Sequence, residues 1–348
     1  MPEMRRVLTQ DGAGRFAVIE EPVPDIQPGT VLVEVKSALI SPGTELGGTP
    51  AKRANPDPEG KPRPFGYGNA GVVLEVGDGV EGIKPGDRLA CMGGGYAQHA
   101  SQAVVPINLT CPMPDGQSFD AASFAHLAAT ALWAVRRTQI EFGQNVAVFG
   151  LGIVGQIAAQ LARLSGAHAM AVDRLPMRVD LAAKCGADLA VNAAEQDVVE
   201  AAKDFSRGHG MDAAIIAFGG DATDLIPQIA SMLKTAPDGH QYGCITVVGG
   251  ASFSSRWPTP LGNVDIRASS RPGPGYHDEA WEHGQHYPPV FVQWTTNRNI
   301  EECLRAEAEG RLDVEPLITH HFPLDDGPAA CDLLVDHPEQ AVAVILNP

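Results

Sequence analysis

The run Phe149-Gly150-Leu151-Gly152-Ile153-Val154-Gly155 constrains this chain more than any other feature. It follows the apolar stretch 145–149 and opens an apolar-periodic segment, 154–165. The three pieces therefore read as strand, tight turn and helix. Three glycines at this spacing each do a different job. Gly150 allows the turn, Gly152 lets a diphosphate reach the backbone, and Gly155 lets the helix pack against the strand. The phosphates then meet the free N–H groups and the positive dipole end of the helix, at Gly150, Gly152, Ile153, Val154 and Gly155. A second strand, 169–173, ends at Asp173, 23 positions after Gly150. A carboxylate there suits ribose hydroxyls and repels a 2′-phosphate, so NAD is expected as cofactor rather than NADP. Arg174 and Arg178 stand beside it and are the residues that could serve a 2′-phosphate instead. The bland alternative is a glycine turn that binds nothing.

Around this motif the chain alternates. Strand-like runs at 145–149, 169–173, 213–218 and 244–248 are separated by helical segments at 154–165, 177–185 and 222–234. Such alternation predicts an α/β fold with a doubly wound parallel sheet, the Rossmann arrangement. Ligands of such sheets bind outside the carboxyl ends of the strands, so Phe218, Val248 and Gly249 are expected to face the cofactor. An Ala-rich segment, 119–137, reads as one helix leading into the alternation. Before it, short β-branched runs at 31–36, 71–77 and 89–92, divided by Gly and Pro turns, predict an all-β unit, a small barrel. After about residue 270 comes a polar, aromatic loop at 269–287. Asn299-Ile300-Glu301-Glu302 then reads as a capping box opening a helix to about residue 310. A helix at 327–337 and a strand at 340–346 close the chain.

Composition narrows the function. A chain of 348 residues suggests two domains at roughly 150 residues each. With 25 Lys and Arg against 42 Asp and Glu the formal charge is −17, which disfavours nucleic acid and anionic membrane as partners. The N-terminal segment has no apolar core of export-signal length, so a cytoplasmic location is expected. The six cysteines, Cys91, Cys111, Cys185, Cys244, Cys303 and Cys331, are never closer than 20 positions, so they form no CxxC pair and read as reduced core residues.

Beside these readings stands a resemblance. Ser41-Pro42-Gly43-Thr44-Glu45, Gly66-Tyr67-Gly68-Asn69-Ala70-Gly71, Pro85-Gly86-Asp87-Arg88, the glycine fingerprint and Leu317-Ile318-Thr319-His320 together resemble the medium-chain dehydrogenase/reductase superfamily over essentially the whole chain. The resemblance implies a GroES-like β-barrel catalytic domain at 1–126, a Rossmann domain at 127–270, and a return to the catalytic domain at 271–348. Zinc members of that family carry a Cys-Gly-Thr-Asp type segment and a Gly-His-Glu segment. Here they read Pro42-Gly43-Thr44-Glu45 and Gly66-Tyr67-Gly68. The third ligand position falls on His126, ahead of Thr130. A catalytic zinc needs about three N, S or O ligands, and His126 with Glu45 nearby does not supply them. A zinc-free member is therefore expected, with no metal.

Without zinc, something must polarise the substrate oxygen and carry its proton. Tyr67 and His126 stand at vacated ligand positions and are the candidates for an acid/base and oxyanion pair. Thr44 holds the family's hydroxyl relay position, and Thr130 is expected near the nicotinamide. The alternative is that Tyr67 only fills the space the metal left and His126 is a satisfied core histidine. Glu45 is expected beside the substrate, holding a backbone amide or an arginine. Segment 267–300 adds Tyr276, His277, Trp281 and Arg298 as candidate substrate contacts, since aromatics mixed with polar donors suit a sugar or cyclitol ring; an ordered interdomain loop is the alternative. His277, His283 and His286 are spaced by six and three positions, which fits no recognised metal site.

The expected activity is an NAD-dependent, zinc-independent alcohol or polyol dehydrogenase acting on a secondary alcohol or its ketone. A homodimer or homotetramer is possible, pairing through the strand at 264–267. Three rivals remain: a zinc-free NADPH quinone or enoyl reductase, a non-catalytic nucleotide-binding protein, and an enzyme that keeps a metal through His126 and Glu45.

Overall fold

The computed structural model describes residues 3–254 and 261–348. The chain divides into two compact units, one built from residues up to Ala129 and from Pro272 onward, the other from Thr130–Arg271. The sequence-based boundaries stood at 126/127 and 270/271.

In the second unit a seven-stranded sheet has the two-residue strand Lys234–Thr235 paired antiparallel with Gln241–Val248. Its six parallel strands lie in the order Leu189–Asn192, His168–Asp173, Asn145–Phe149, Ala213–Ile216, Gln241–Val248, Asn263–Ser269. Numbered along the chain this is 3-2-1-4-5-6, the doubly wound order. Asn145–Phe149 is buried along its whole length because helices cover both faces. The chain order reverses between this strand and Ala213–Ile216, and the glycine run leaves the sheet at that reversal. The helix after it, Ile153–Leu164, turns Ile153, Ile157, Ala158, Leu161 and Ala162 inward, as 3.6-residue periodicity requires.

The first unit is β-rich. Its larger sheet runs Ile318–Pro323, Ala343–Asn347, Thr30–Leu39, Gly68–Val76, Arg88–Met92, Thr110–Pro112, with Gln102–Pro106 also paired to Thr30–Leu39. Thr30–Leu39 is the spine. Gly68–Val76 runs antiparallel along one edge; Gln102–Pro106 and then Ala343–Asn347 share the other. Its Val31, Val33 and Val35 enter a core with Leu89, Val105, Leu109 and Leu346. A second sheet of Phe16–Pro22, Met4–Gln10 and Arg63–Pro64 adds an N-terminal hairpin that the sequence reading left out.

Several local expectations need correction. The segment 119–137 is not one helix but two, Phe119–Ala122 and Ala125–Thr138. The Ser123 hydroxyl donates to the Asp120 carbonyl in the gap, a local bond that competes with helix propagation. The helix expected to open at Asn299 begins at Thr296 instead. Thr295 caps it by accepting the Arg298 N–H, and Asn299 is buried inside it, donating to the Pro272 carbonyl at 2.7 Å. The 269–287 loop contains the short helix Glu279–Glu282, capped by Asp278. The strand Leu189–Asn192 and the helix Val198–Phe205 were also missed; at four and eight residues both are short, which leaves little periodicity to read.

Candidate active site

The glycine turn uses each glycine for a distinct reason. Gly150 sits at φ +87°, with the Phe218 side chain 2.9 Å from where a Cβ would be. A Cβ on Gly155 would fall on the Gly150 carbonyl oxygen itself, so helix and turn close up only because it is absent. Gly152 faces open space and, as the helix N-cap, brings no side chain to satisfy the first N–H groups. The N-terminus of a twelve-residue helix is thus left with donors pointing outward, which fits an anion with several acceptor oxygens. A dinucleotide's diphosphate fits this cradle, with Gly150, Gly152, Ile153, Val154 and Gly155 supplying backbone. Gln156, which the sequence reading passed over, is buried and ties the turn to the next helix by donating to Leu151 O and Arg178 O.

Asp173 ends its strand beside this turn. Its Oδ2 accepts the Leu151 N–H at 2.6 Å, and its Oδ1 accepts the N–H groups of Arg174 and Leu175. The Arg178 guanidinium lies 3.9 Å away. A carboxylate has about four acceptor positions, so capacity remains for a ribose hydroxyl. Arg174 is exposed. Among the other expected cofactor contacts, Phe218 packs under Gly150 and Gly249 is exposed at a strand end with φ +102°. Val248 corrects the expectation: its side chain is buried in the sheet core, so it offers only backbone. Thr130 is half-buried on the helix Ala125–Thr138.

In the first unit, residues from four segments converge. Ser41 precedes the single wide turn Pro42–Leu46. Tyr67 precedes the strand Gly68–Val76, and His126 lies in the first turn of its helix. The Tyr67 and His126 rings meet edge to face, with centroids 4.1 Å apart. The Tyr67 phenol donates to Ser41 Oγ at 2.5 Å, and Thr44 is a second hydrogen-bonding neighbour of its oxygen. Burial and the nearby Glu45 charge both push the phenol's proton affinity well up. Burial pulls the His126 imidazolium down to about 3. Both groups are therefore neutral around pH 7, so the arrangement is a set of polar, uncharged hydrogen-bonding groups. Tyr276 lies close enough for its hydroxyl to influence Tyr67. It accepts the Gly94 N–H at 2.8 Å and stacks on His277 at 3.8 Å.

Other expected substrate contacts fall elsewhere. Glu45 is turned inward, its side chain only 3% exposed. It holds a backbone amide, that of Ser41, but its second partner is His99 rather than an arginine. A carboxylate this enclosed is not a substrate contact. Trp281 is core, 3% exposed, and its indole lies against Gly275, where a Cβ would come within 2.5 Å of the ring. Tyr287 stacks on it and donates to Asp278. Large apolar rings gain most by leaving water, and composition could not say which aromatics of this loop turn in. Arg298 lies over the Trp294 ring at 4.1 Å and donates to Gln293 O; nothing directs it to an anion. His283 is bonded to Glu279 O. Among the described residues no group of three or more His, Cys, Asp or Glu converges as a metal ion requires. The residues standing where a catalytic zinc would be expected do not fit it: Pro42 has no donor, and Tyr67 is engaged with Ser41. Sequence reasoning missed Ser41, His99 and Glu282, the last buried and accepting the His277 N–H. No helix among the described residues is long and apolar enough to cross a membrane.

Comparison with known proteins places this geometry. Residues 154–282 match the family model described as zinc-binding dehydrogenase. An alcohol dehydrogenase of Cupriavidus necator is 25% identical, with 96% of each chain covered. D-guloside 3-dehydrogenase of Shigella flexneri is 29% identical over 82% of this chain and 80% of its own. The alcohol dehydrogenase TADH from Thermus sp. ATN1 superposes with a TM-score of 0.78 at 24% identity, covering 98% of this chain and 99% of its own.

Proposed function

The chain belongs to the medium-chain dehydrogenase/reductase superfamily, a family of oxidoreductases, and on that premise we propose that it is an NAD-dependent, zinc-independent dehydrogenase of a polyhydroxylated small molecule. It interconverts a secondary alcohol and its ketone on a sugar, a cyclitol or a related polyol. The observation that carries the reading is the hydroxyl cluster of Tyr67, Ser41 and Thr44, in which Tyr67 holds a position where zinc members carry a metal ligand. When bound at the glycine turn, the nicotinamide dinucleotide supplies or accepts the hydride. Asp173 favours the cofactor without a 2′-phosphate, because its charge would oppose one.

The chain's own residues then have defined tasks. The neutral Tyr67 phenol turns from Ser41 Oγ to the substrate oxygen and donates to it, stabilising the charge that develops there as hydride moves. In ketone reduction the phenol proton passes to the substrate oxygen and is replaced from solvent through the Ser41 and exposed Thr44 hydroxyls. Alcohol oxidation runs the same relay in reverse and releases the proton to solvent. His126, neutral beside the ring, orients Tyr67 and offers an imidazole nitrogen to the same oxygen. Tyr276 and His277 form the aromatic, polar face against which a ring bearing hydroxyls can stack. The name of the guloside relative supports a sugar-like substrate. The strand Asn263–Ser269 at the sheet edge is offered to a second copy of the chain, which size-exclusion chromatography checks.

The deciding experiment is a dehydrogenase screen of sugars, cyclitols and other polyols with NAD and with NADP, repeated after exhaustive chelation and paired with elemental analysis. Turnover with NAD that survives chelation is expected. Activity lost on chelation and restored by zinc would reject zinc independence, and quinone turnover with NADPH would reject the substrate class.

A further inference from the structure

We propose that His99 and Glu45 form a buried positioning pair for Tyr67, holding the turn whose Ser41 hydroxyl takes the phenol's hydrogen bond. The inference rests on the reading that Tyr67 handles the substrate oxygen, and adds to it a pair that touches no substrate.

The connection runs through both atoms of one serine. Glu45 Oε2 accepts the Ser41 N–H at 2.9 Å, while Ser41 Oγ accepts the Tyr67 phenol. The same Oε2 accepts from His99 Nε2 at 3.0 Å. Main chain and side chain of Ser41 are thus held from opposite directions, one by the carboxylate and one by the phenol. A second path joins His99 to the other end of Tyr67. The His99 N–H donates to Phe65 O at 3.0 Å, and the Phe65 ring meets the imidazole edge-on at 5.3 Å. Gly66 between them sits at φ +119°, so close that a Cβ there would lie 2.5 Å from His99 N. The main chain at His99 therefore holds the backbone leading into Tyr67, while its imidazole packs on Phe65 and holds the partner of the Tyr67 hydroxyl through Glu45.

The cost of the pair argues that geometry is its purpose. His99 is fully buried and the Glu45 side chain nearly so. Glu45 Oε1 and His99 Nδ1 are buried without hydrogen-bond partners. Charged or polar pairs at such depth contribute little net stability compared with apolar side chains of the same volume. Few other side chains of the turn itself anchor it: Ser41 provides no side-chain cap, Pro42 has no N–H, and a Cβ on Gly43 would meet nothing within 4 Å, so besides Glu45 the buried side chain is that of Leu46.

The test uses the full chain labelled with 3-fluorotyrosine. Five tyrosines give a simple fluorine NMR spectrum in which the Tyr67 signal is assigned by its loss in Tyr67→Phe. In His99→Phe the Tyr67 signal is expected to shift and broaden. His99→Gln, which can still donate to Glu45, is expected to restore most of the wild-type signal. Glu45→Gln is the second variant should His99→Phe not fold, and it is expected to move the signal as well. With a substrate in hand, His99→Phe should lower kcat roughly ten-fold with the KM for NAD unchanged. Combined with Tyr67→Phe it should cost little more than Tyr67→Phe alone, the non-additivity of residues acting through one another. A Tyr67 signal unmoved in both His99→Phe and Glu45→Gln overturns the proposal whatever the turnover, and so does full additivity with Tyr67→Phe. A moved signal in a chain that turns over no alcohol supports the positioning pair and rejects instead the functional reading beneath it.

Discussion

The glycine turn of the second unit and the hydroxyl cluster of the first solve their problems in opposite ways. The turn works by leaving atoms out. Three missing side chains bring backbone N–H groups to one place, and seven consecutive residues contain nearly all of it. The cluster works by bringing atoms together: Ser41, Tyr67, His99 and His126 come from four separated stretches, and none means much without the others. A backbone device is compact in sequence and tolerates almost nothing at its glycines. A side-chain device is dispersed and degrades one hydrogen bond at a time.

The sharpest attack on this contrast is Gly155→Ala. The added Cβ collides with the Gly150 carbonyl, so strand and helix must separate. A destabilisation of about 3 kcal/mol or more is expected, with loss of calorimetric heat on adding NAD; retained binding would break the backbone account. Tyr67→Phe comes next. It should lower kcat on the order of 100-fold, the scale of losing one donor to a developing oxyanion, while the Kd for NAD stays put. A change in Kd of similar size would erase the division of labour between the regions. Asp173→Ser removes a charge that both holds Leu151 and opposes a 2′-phosphate. The ratio of kcat/KM for NAD over NADP should fall roughly ten-fold, the worth of one charge-assisted hydrogen bond.

The smallest effect sharpens the comparison by lying outside both sites. Glu307 has one oxygen bonded to Gln117 and the other buried without a partner, and burial raises its carboxyl well above the ordinary range. The folded chain therefore keeps a proton that the unfolded chain releases above about pH 4.5. Stability contributed by this group is present below that pH and is lost as pH rises toward the folded-state value. Glu307→Gln should leave stability near pH 4 unchanged and raise it by about 1 kcal/mol at pH 7, seen in thermal melts at the two pH values, with kcat unaltered.

The same contrast explains what could be read in advance. Asn145–Phe149, the turn and Asp173 were legible because each reports a local rule: an apolar run, a glycine spacing, an acidic strand end. The doubly wound parallel sheet followed from alternation, but its order did not, because the strand Leu189–Asn192 was not read from the sequence. Tyr67 and His126 were reached only through resemblance, and their contact at 4.1 Å is a fact of packing that no spacing encodes. Trp281 shows the limit most plainly. Its composition marked it as a sugar-stacking ring, yet burial of a large aromatic decided its place. His99 carried no signal at all, since a histidine in Gly94-Gly95-Tyr96-Ala97-Gln98-His99 becomes informative only when Glu45, more than fifty positions earlier, arrives beside it. The early start of the helix Thr296–Ala308 has a similar origin: Thr295 takes the capping role by accepting the Arg298 N–H, and Asn299 lies inside the helix with its amide donating to the Pro272 carbonyl.

The indole of Trp281 occupies the volume that any side chain at position 275 would claim. The ring dictates how the chain bends, and the next two residues are held in turn: the Tyr276 hydroxyl accepts the Gly94 N–H, and His277 stacks on the Tyr276 ring at φ +72°. Trimming the tryptophan would open the volume at position 275 and let the whole bend shift, carrying the Tyr276–His277 stack with it.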